Sequence, residues 1–122
     1  MDAQRAEQTP WHGLTVTTTV MDGIQVLTLT GEVDHDTSPQ LRSAALDACA
    51  AGRPRIVVDL SRVSFMDSSG INILIAAHHG ATESGGWLRI AAPLPPVLRT
   101  LRLVGVDEVI PCAATVPEAL TP

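Results

Sequence analysis

The chain has 122 residues, 45% of them hydrophobic, which suits one domain with a modest buried core and argues against disorder. Its formal net charge is −5, and all eight of its cations are arginines. With no lysine anywhere, a P-loop lysine, a Schiff-base lysine and a lysine-rich nucleic-acid patch are excluded, and an acidic chain with scattered arginines is a poor ligand for phosphate backbones.

No apolar run approaches the roughly 20 residues that span a bilayer. The first residues are polar and lack a basic-then-apolar signal pattern. The expectation is a flexible leader over residues 1–12, a single domain over 13–121, and a soluble cytoplasmic protein with neither membrane nor nucleic acid as a direct partner. Cys49 and Cys112 lie far apart among apolar residues and read as core fillers, since no CxxC pair or Cys/His cluster exists. Adjacent helical residues point about 100° apart, so His78-His79 is a poor clamp for one ion. No metal and no cofactor is expected.

Leu14–Met21 and Ile24–Thr30 are rich in Val, Thr, Ile and Leu, and Asp22-Gly23 between them signals a hairpin. Gly31–Thr37 is a polar, acidic connection. Ser38-Pro39 predicts a helix start, with serine as N-cap and proline at the first helical position. Leu41, Ala44, Ala45 and Ala48 then form one apolar face, and the helix ends at Ala51–Pro54. Arg55–Leu60 predicts a strand covered on both faces, with Val63–Met66 leading off it. Asp67 caps a buried helix over Ser68–Glu83, stopped at Gly85-Gly86. A strand over Trp87–Ala92, a helix opened by Pro96, a short strand over Asp107–Ile110 and a last helical turn over Val116–Leu120 complete the chain. This order predicts an α/β layered fold: a mixed β-sheet with an N-terminal hairpin at its edge and about four α-helices in one domain.

The stretch Asp59-Leu60-Ser61-Arg62-Val63-Ser64-Phe65-Met66-Asp67-Ser68-Ser69-Gly70-Ile71 resembles the regulatory-serine motif of the STAS family, named for sulfate transporters and anti-sigma factor antagonists. Gly31-Glu32-Val33-Asp34-His35-Asp36-Thr37 is similar to the family's polar loop after the second strand. Leu98-Arg99 to Leu103-Val104-Gly105-Val106 is similar to its penultimate helix and turn. Asn72 departs from the pattern, where many members carry a glycine.

The resemblance implies an anti-sigma factor antagonist with a STAS-like fold and no catalysis of its own. Unphosphorylated, it would bind an anti-sigma factor that is also a serine kinase, releasing the sigma factor. Phosphorylation of Ser68, or of Ser69 as the fallback, would switch binding off, and a serine phosphatase would reset it. The partner-binding candidates implied are Asp34, His35, Asp67, Ser69 and Gly70.

Physical chemistry alone reads Asp67-Ser68-Ser69-Gly70 as an N-cap and first turn. It adds that a first-turn hydroxyl is presentable, and that unpaired N–H groups at a helix start favour an anion. Two other readings compete. A scaffold or nucleotide-binding STAS module would keep the fold without a cognate kinase. A serine hydrolase would need a Gly-x-Ser-x-Gly turn, which is missing.

Overall fold

The computed structural model describes residues 13–121; the expected leader over residues 1–12 lies outside them. Strands β1 (Leu14–Met21) and β2 (Ile24–Val33) form the hairpin, and Asp22 and Gly23 turn it with φ of 54° and 81°. Positive φ at both central residues is the twist-matched turn that Asp-Gly favours. Helix α1 (Ser38–Cys49), strand β3 (Arg55–Met66), helix α2 (Ser68–Glu83), strand β4 (Trp87–Ala91), helix α3 (Pro95–Leu103), a 3-10 turn (Val106–Glu108), strand β5 (Cys112–Ala113) and helix α4 (Val116–Leu120) follow.

The sheet runs β1-β2-β3-β4-β5. β1 pairs antiparallel with β2, and every later pair is parallel, so the sheet is mixed with the hairpin at its edge, as expected. Alternation sorts side chains onto two faces. Leu27, Leu29, Ile56, Val58, Leu60, Leu88 and Ile90 meet Leu41 and Ala45 of α1, Ile71 and Leu74 of α2, and Val97 and Leu101 of α3 in one core. Each of these Leu, Ile and Val side chains contributes about 1.5–3 kcal/mol on burial. Ile24, Val26, Val57 and Ala91 face the other way, against Ala119 of α4. β3 is therefore covered on both faces. Arg89 pins α4 by donating from Nη1 to the carbonyls of Ala119 (2.8 Å) and Thr121 (2.6 Å), while its guanidinium lies 3.8 Å from the centroid of the Trp87 ring.

The structure corrects five boundaries. β2 runs on to Val33 and β3 to Met66, because Gly31, Glu32 and Val33 pair with Val63, Phe65 and Met66 across irregularities in the register. Thr37, not Ser38, is the N-cap of α1, and Pro95 rather than Pro96 opens α3. β4 ends at Ala91, one residue short of the expected Ala92. The strand expected over Asp107–Ile110 is instead a 3-10 turn, and the last strand is Cys112–Ala113. Val106 and Ile110 are both buried, and the Ile110 N–H donates to the Val106 carbonyl, so helical spacing wins over strand-like composition.

Candidate functional site

β2 and β3 end side by side, with Val33 opposite Met66. From this end of the sheet the chain enters the loop 34–37 after β2 and helix α2 after β3, which brings the two sequence motifs together. The Asp67 N–H donates to the Val33 carbonyl (3.1 Å) and so ties the helix start to the end of β2. Asp67 has extended backbone, and its Oδ1 accepts from the Ser69 N–H at 2.8 Å. That is the geometry of an N-cap aspartate, and it consumes one of the unpaired donors at the helix start.

Ser68 is exposed as the first residue of α2, while Ser69 is half-buried and its N–H is taken by the cap. Gly70 is buried: a Cβ there would lie 2.6 Å from Val33 Cγ1 and 3.0 Å from Met66 Cγ. Its part is to let the helix approach the sheet, and it offers no side chain to a partner. Asn72 is exposed, so the departure from the family pattern lies on the solvent side of the helix.

The loop is tighter than an acidic solvated turn. The buried Thr37 is its hub: Oγ1 accepts from the Asp34 N–H (2.9 Å) and donates to the Glu32 carbonyl (2.8 Å). Asp34 Oδ1 accepts from the Thr37 N–H at 3.0 Å and lies 3.2 Å from Thr37 Oγ1. Ser38 closes the turn, its N–H donating to the Asp34 carbonyl and its hydroxyl to that of His35. The Asp34 side chain thus holds the loop in shape, whereas His35 and Asp36 are exposed.

Sequence reasoning passed over Phe65. It is the chain's sole phenylalanine, stands three residues before Ser68, and is 49% exposed. The signal was its position: on β3 it alternates with Met66, which is buried at the same strand end.

Among the described residues, no group of three or more His, Cys, Asp or Glu could hold a metal ion, and no helix is long and apolar enough to cross a membrane.

Residues 15–119 match the model of the STAS domain, and the chain belongs to that family. The anti-sigma-F factor antagonist RsfB of Mycobacterium tuberculosis is 32% identical over 108 residues, covering 88% of each chain. The crystal structure of an anti-sigma factor antagonist from Mycobacterium paratuberculosis superposes with a TM-score of 0.81 at 33% identity, over 88% of this chain and 91% of that one. SpoIIAA, a Bacillus cell fate determinant and anti-sigma factor antagonist, matches at 26% identity in both states. The TM-score is 0.73 for its unphosphorylated form, over 87% of this chain and 93% of that one. It is 0.67 for the phosphorylated form, over 87% and 96%.

Proposed function

We propose that this protein is an anti-sigma factor antagonist whose grip on its partner is released by phosphorylation of Ser68. The observation that carries the reading is the exposed Ser68 at the capped start of α2, at the same end of the sheet as the loop 34–37. The partner is an anti-sigma factor with serine kinase activity, and a serine phosphatase reverses the modification. The protein itself carries out no catalysis. His35, Asp36, Ser68 and Phe65 form the contact surface; Asp34, Asp67 and Gly70 shape it.

A phosphoserine brings about −1.5 to −2 charges. The dipole of α2 would favour that charge by roughly 0.3–1 kcal/mol. Asp67 already takes the Ser69 N–H, so a phosphate shares the helix end with one half-buried carboxylate, a repulsion of about 1 kcal/mol per pair of unit charges at 4 Å in water. The fold should tolerate the phosphate. In a closed interface, by contrast, a like charge or a buried unpaired charge costs several kcal/mol. The switch acts on the complex, and the match of this chain to both states of SpoIIAA supports a switch of that kind.

Intact-mass analysis of the protein purified from its native cell tests the reading. One added phosphate, mapped to Ser68 and missing in Ser68→Ala, is expected. Phosphate confined to Ser69 would move the switch to the fallback residue, and none under any growth condition would remove the kinase from the account.

A further inference from the structure

The end of the sheet farthest from Ser68 holds a second feature. β3 runs from Arg55 to Met66, so its first residue is on the order of 35 Å from the serine end at about 3.3 Å per residue. There the hairpin turn, the connection from α1 to β3 and the connection from α2 to β4 frame an open hollow of about 440 Å³. Its wall includes Gly23, Gln25, Arg53, Arg55, Gly85 and Trp87, and no carboxylate lines it. In a chain with thirteen acidic and eight basic residues, two arginines without an acid are a local reversal of charge.

Both arginines are exposed at the rim of the hollow. Arg53 adopts φ of 56°, a left-handed conformation that is strained for a non-glycine residue. Its side chain runs over Gly85, where a Cβ would lie 3.8 Å from Arg53 Cγ and Nε. The Arg55 guanidinium occupies the space that a side chain at Gly23 would need. The floor is fixed by the Trp87 N–H, which donates to the Pro54 carbonyl at 2.9 Å, and by Gln25, whose Nε2 donates to the Ala48 carbonyl at 2.9 Å. Trp87 adds an apolar wall. No ion pair among the described residues engages either arginine.

The geometry points to this hollow as a binding site for a small phosphate-bearing ligand. Planar guanidinium groups match phosphate oxygens two at a time. A volume of about 440 Å³ suits a small molecule rather than a protein segment. The site is independent of the serine switch, since it shares no residue with it.

The test is a titration of the isotope-labelled full chain at constant ionic strength, followed by NMR at the Trp87 indole and the Gly85 and Gly86 amides. Pyrophosphate and glycerol 3-phosphate are the phosphate probes, and malonate is the carboxylate probe. Saturable shifts with at least one phosphate probe, and weaker or no binding of malonate, are expected. Response to pyrophosphate alone would mark an inorganic ligand, and response to both a phosphate group in general. Arg53→Gly suits the positive φ and Arg55→Gln keeps the strand, so both variants should fold. Each should weaken binding by about tenfold or more. Arg99→Gln, an exposed arginine elsewhere, should bind as the unmodified chain does. The proposal is overturned if neither phosphate probe saturates, if malonate binds as well, if Arg53→Gly and Arg55→Gln have no effect, or if Arg99→Gln weakens binding equally.

Discussion

Gly70 and Val33 touch where no side chain would fit: a Cβ on Gly70 would lie 2.6 Å from Val33 Cγ1. This contact presses the first turn of α2 onto the end of β2 and so fixes Ser68 beside the loop 34–37. Gly70→Ala must push the helix off the sheet, and such overpacking typically costs about 1–3 kcal/mol. Denaturant unfolding should show that loss. An unchanged midpoint would mean that the helix start yields freely and is not held by this contact.

The loop gives a pair of opposite outcomes. Asp34→Ala removes the acceptor of the Thr37 N–H and should destabilise the fold by about 1–2 kcal/mol. The exposed His35 changed to Ala should leave stability within about 0.5 kcal/mol while weakening partner binding. Thermal melts of the two variants side by side separate these roles. Equal melting temperatures would show that the hydrogen bonds around Thr37 add nothing.

Phe65 is an exposed aromatic residue on β3, three positions before Ser68 in sequence. Aromatic anchors of interfaces commonly account for about 2 kcal/mol or more of binding, roughly thirtyfold in affinity. Phe65→Ala should show a loss of that order against the anti-sigma factor, with little change in melting temperature because the ring is half in solvent. Binding unaffected by the substitution would place the interface elsewhere on the domain.

Both thiols titrate above the usual range. Burial raises Cys49; for Cys112 burial is the larger cause, followed by the nearby Asp107 carboxylate, with Arg102 acting in the opposite direction. The folded state therefore keeps these protons to higher pH than the unfolded state. The resulting stability is complete below the unfolded thiol range, near about pH 8.5, and is lost as pH rises through the folded values. Iodoacetamide at neutral pH should modify the folded protein slowly and the denatured protein fast. Stability should also fall above that range, and less so in a Cys49→Ala, Cys112→Ala variant. Rapid alkylation of the folded chain at neutral pH would contradict this.

Much of the architecture was legible because local chemistry agreed with the tertiary fold. Asp22-Gly23 has one favoured turn, and Asp67 before Ser68 and Ser69 has one favoured cap. Where the sequence misled, long-range pairing decided. Val63 to Met66 read as a way off the strand, yet Gly31, Glu32 and Val33 extend β2 and pair with Val63, Phe65 and Met66. Asp107–Ile110 was expected as a strand, while burial of Val106 and Ile110 four residues apart suits a helical turn. Within the site, the motif located Ser68 and its cap. That the Asp34 side chain braces the loop, that Gly70 packs against Val33 and Met66, and that Phe65 is exposed while Met66 is buried all depend on how β2, β3 and α2 meet in three dimensions. No spacing along one strand contains that information.

The central claim is that one phosphate on Ser68 breaks a complex that the unmodified face makes. Calorimetry of the cognate anti-sigma factor against the unmodified chain, the Ser68-phosphorylated chain, Ser68→Ala and Ser68→Asp tests it most directly. The unmodified chain and Ser68→Ala should bind tightly, since alanine adds no charge and suits a helix start. Ser68→Asp should bind at intermediate strength, because one carboxylate carries less charge than the about −1.5 to −2 of a phosphate. The phosphorylated chain should bind weakest, by about a hundredfold or more if the charge is buried unpaired. Phosphorylated protein binding as tightly as unmodified protein would contradict the account.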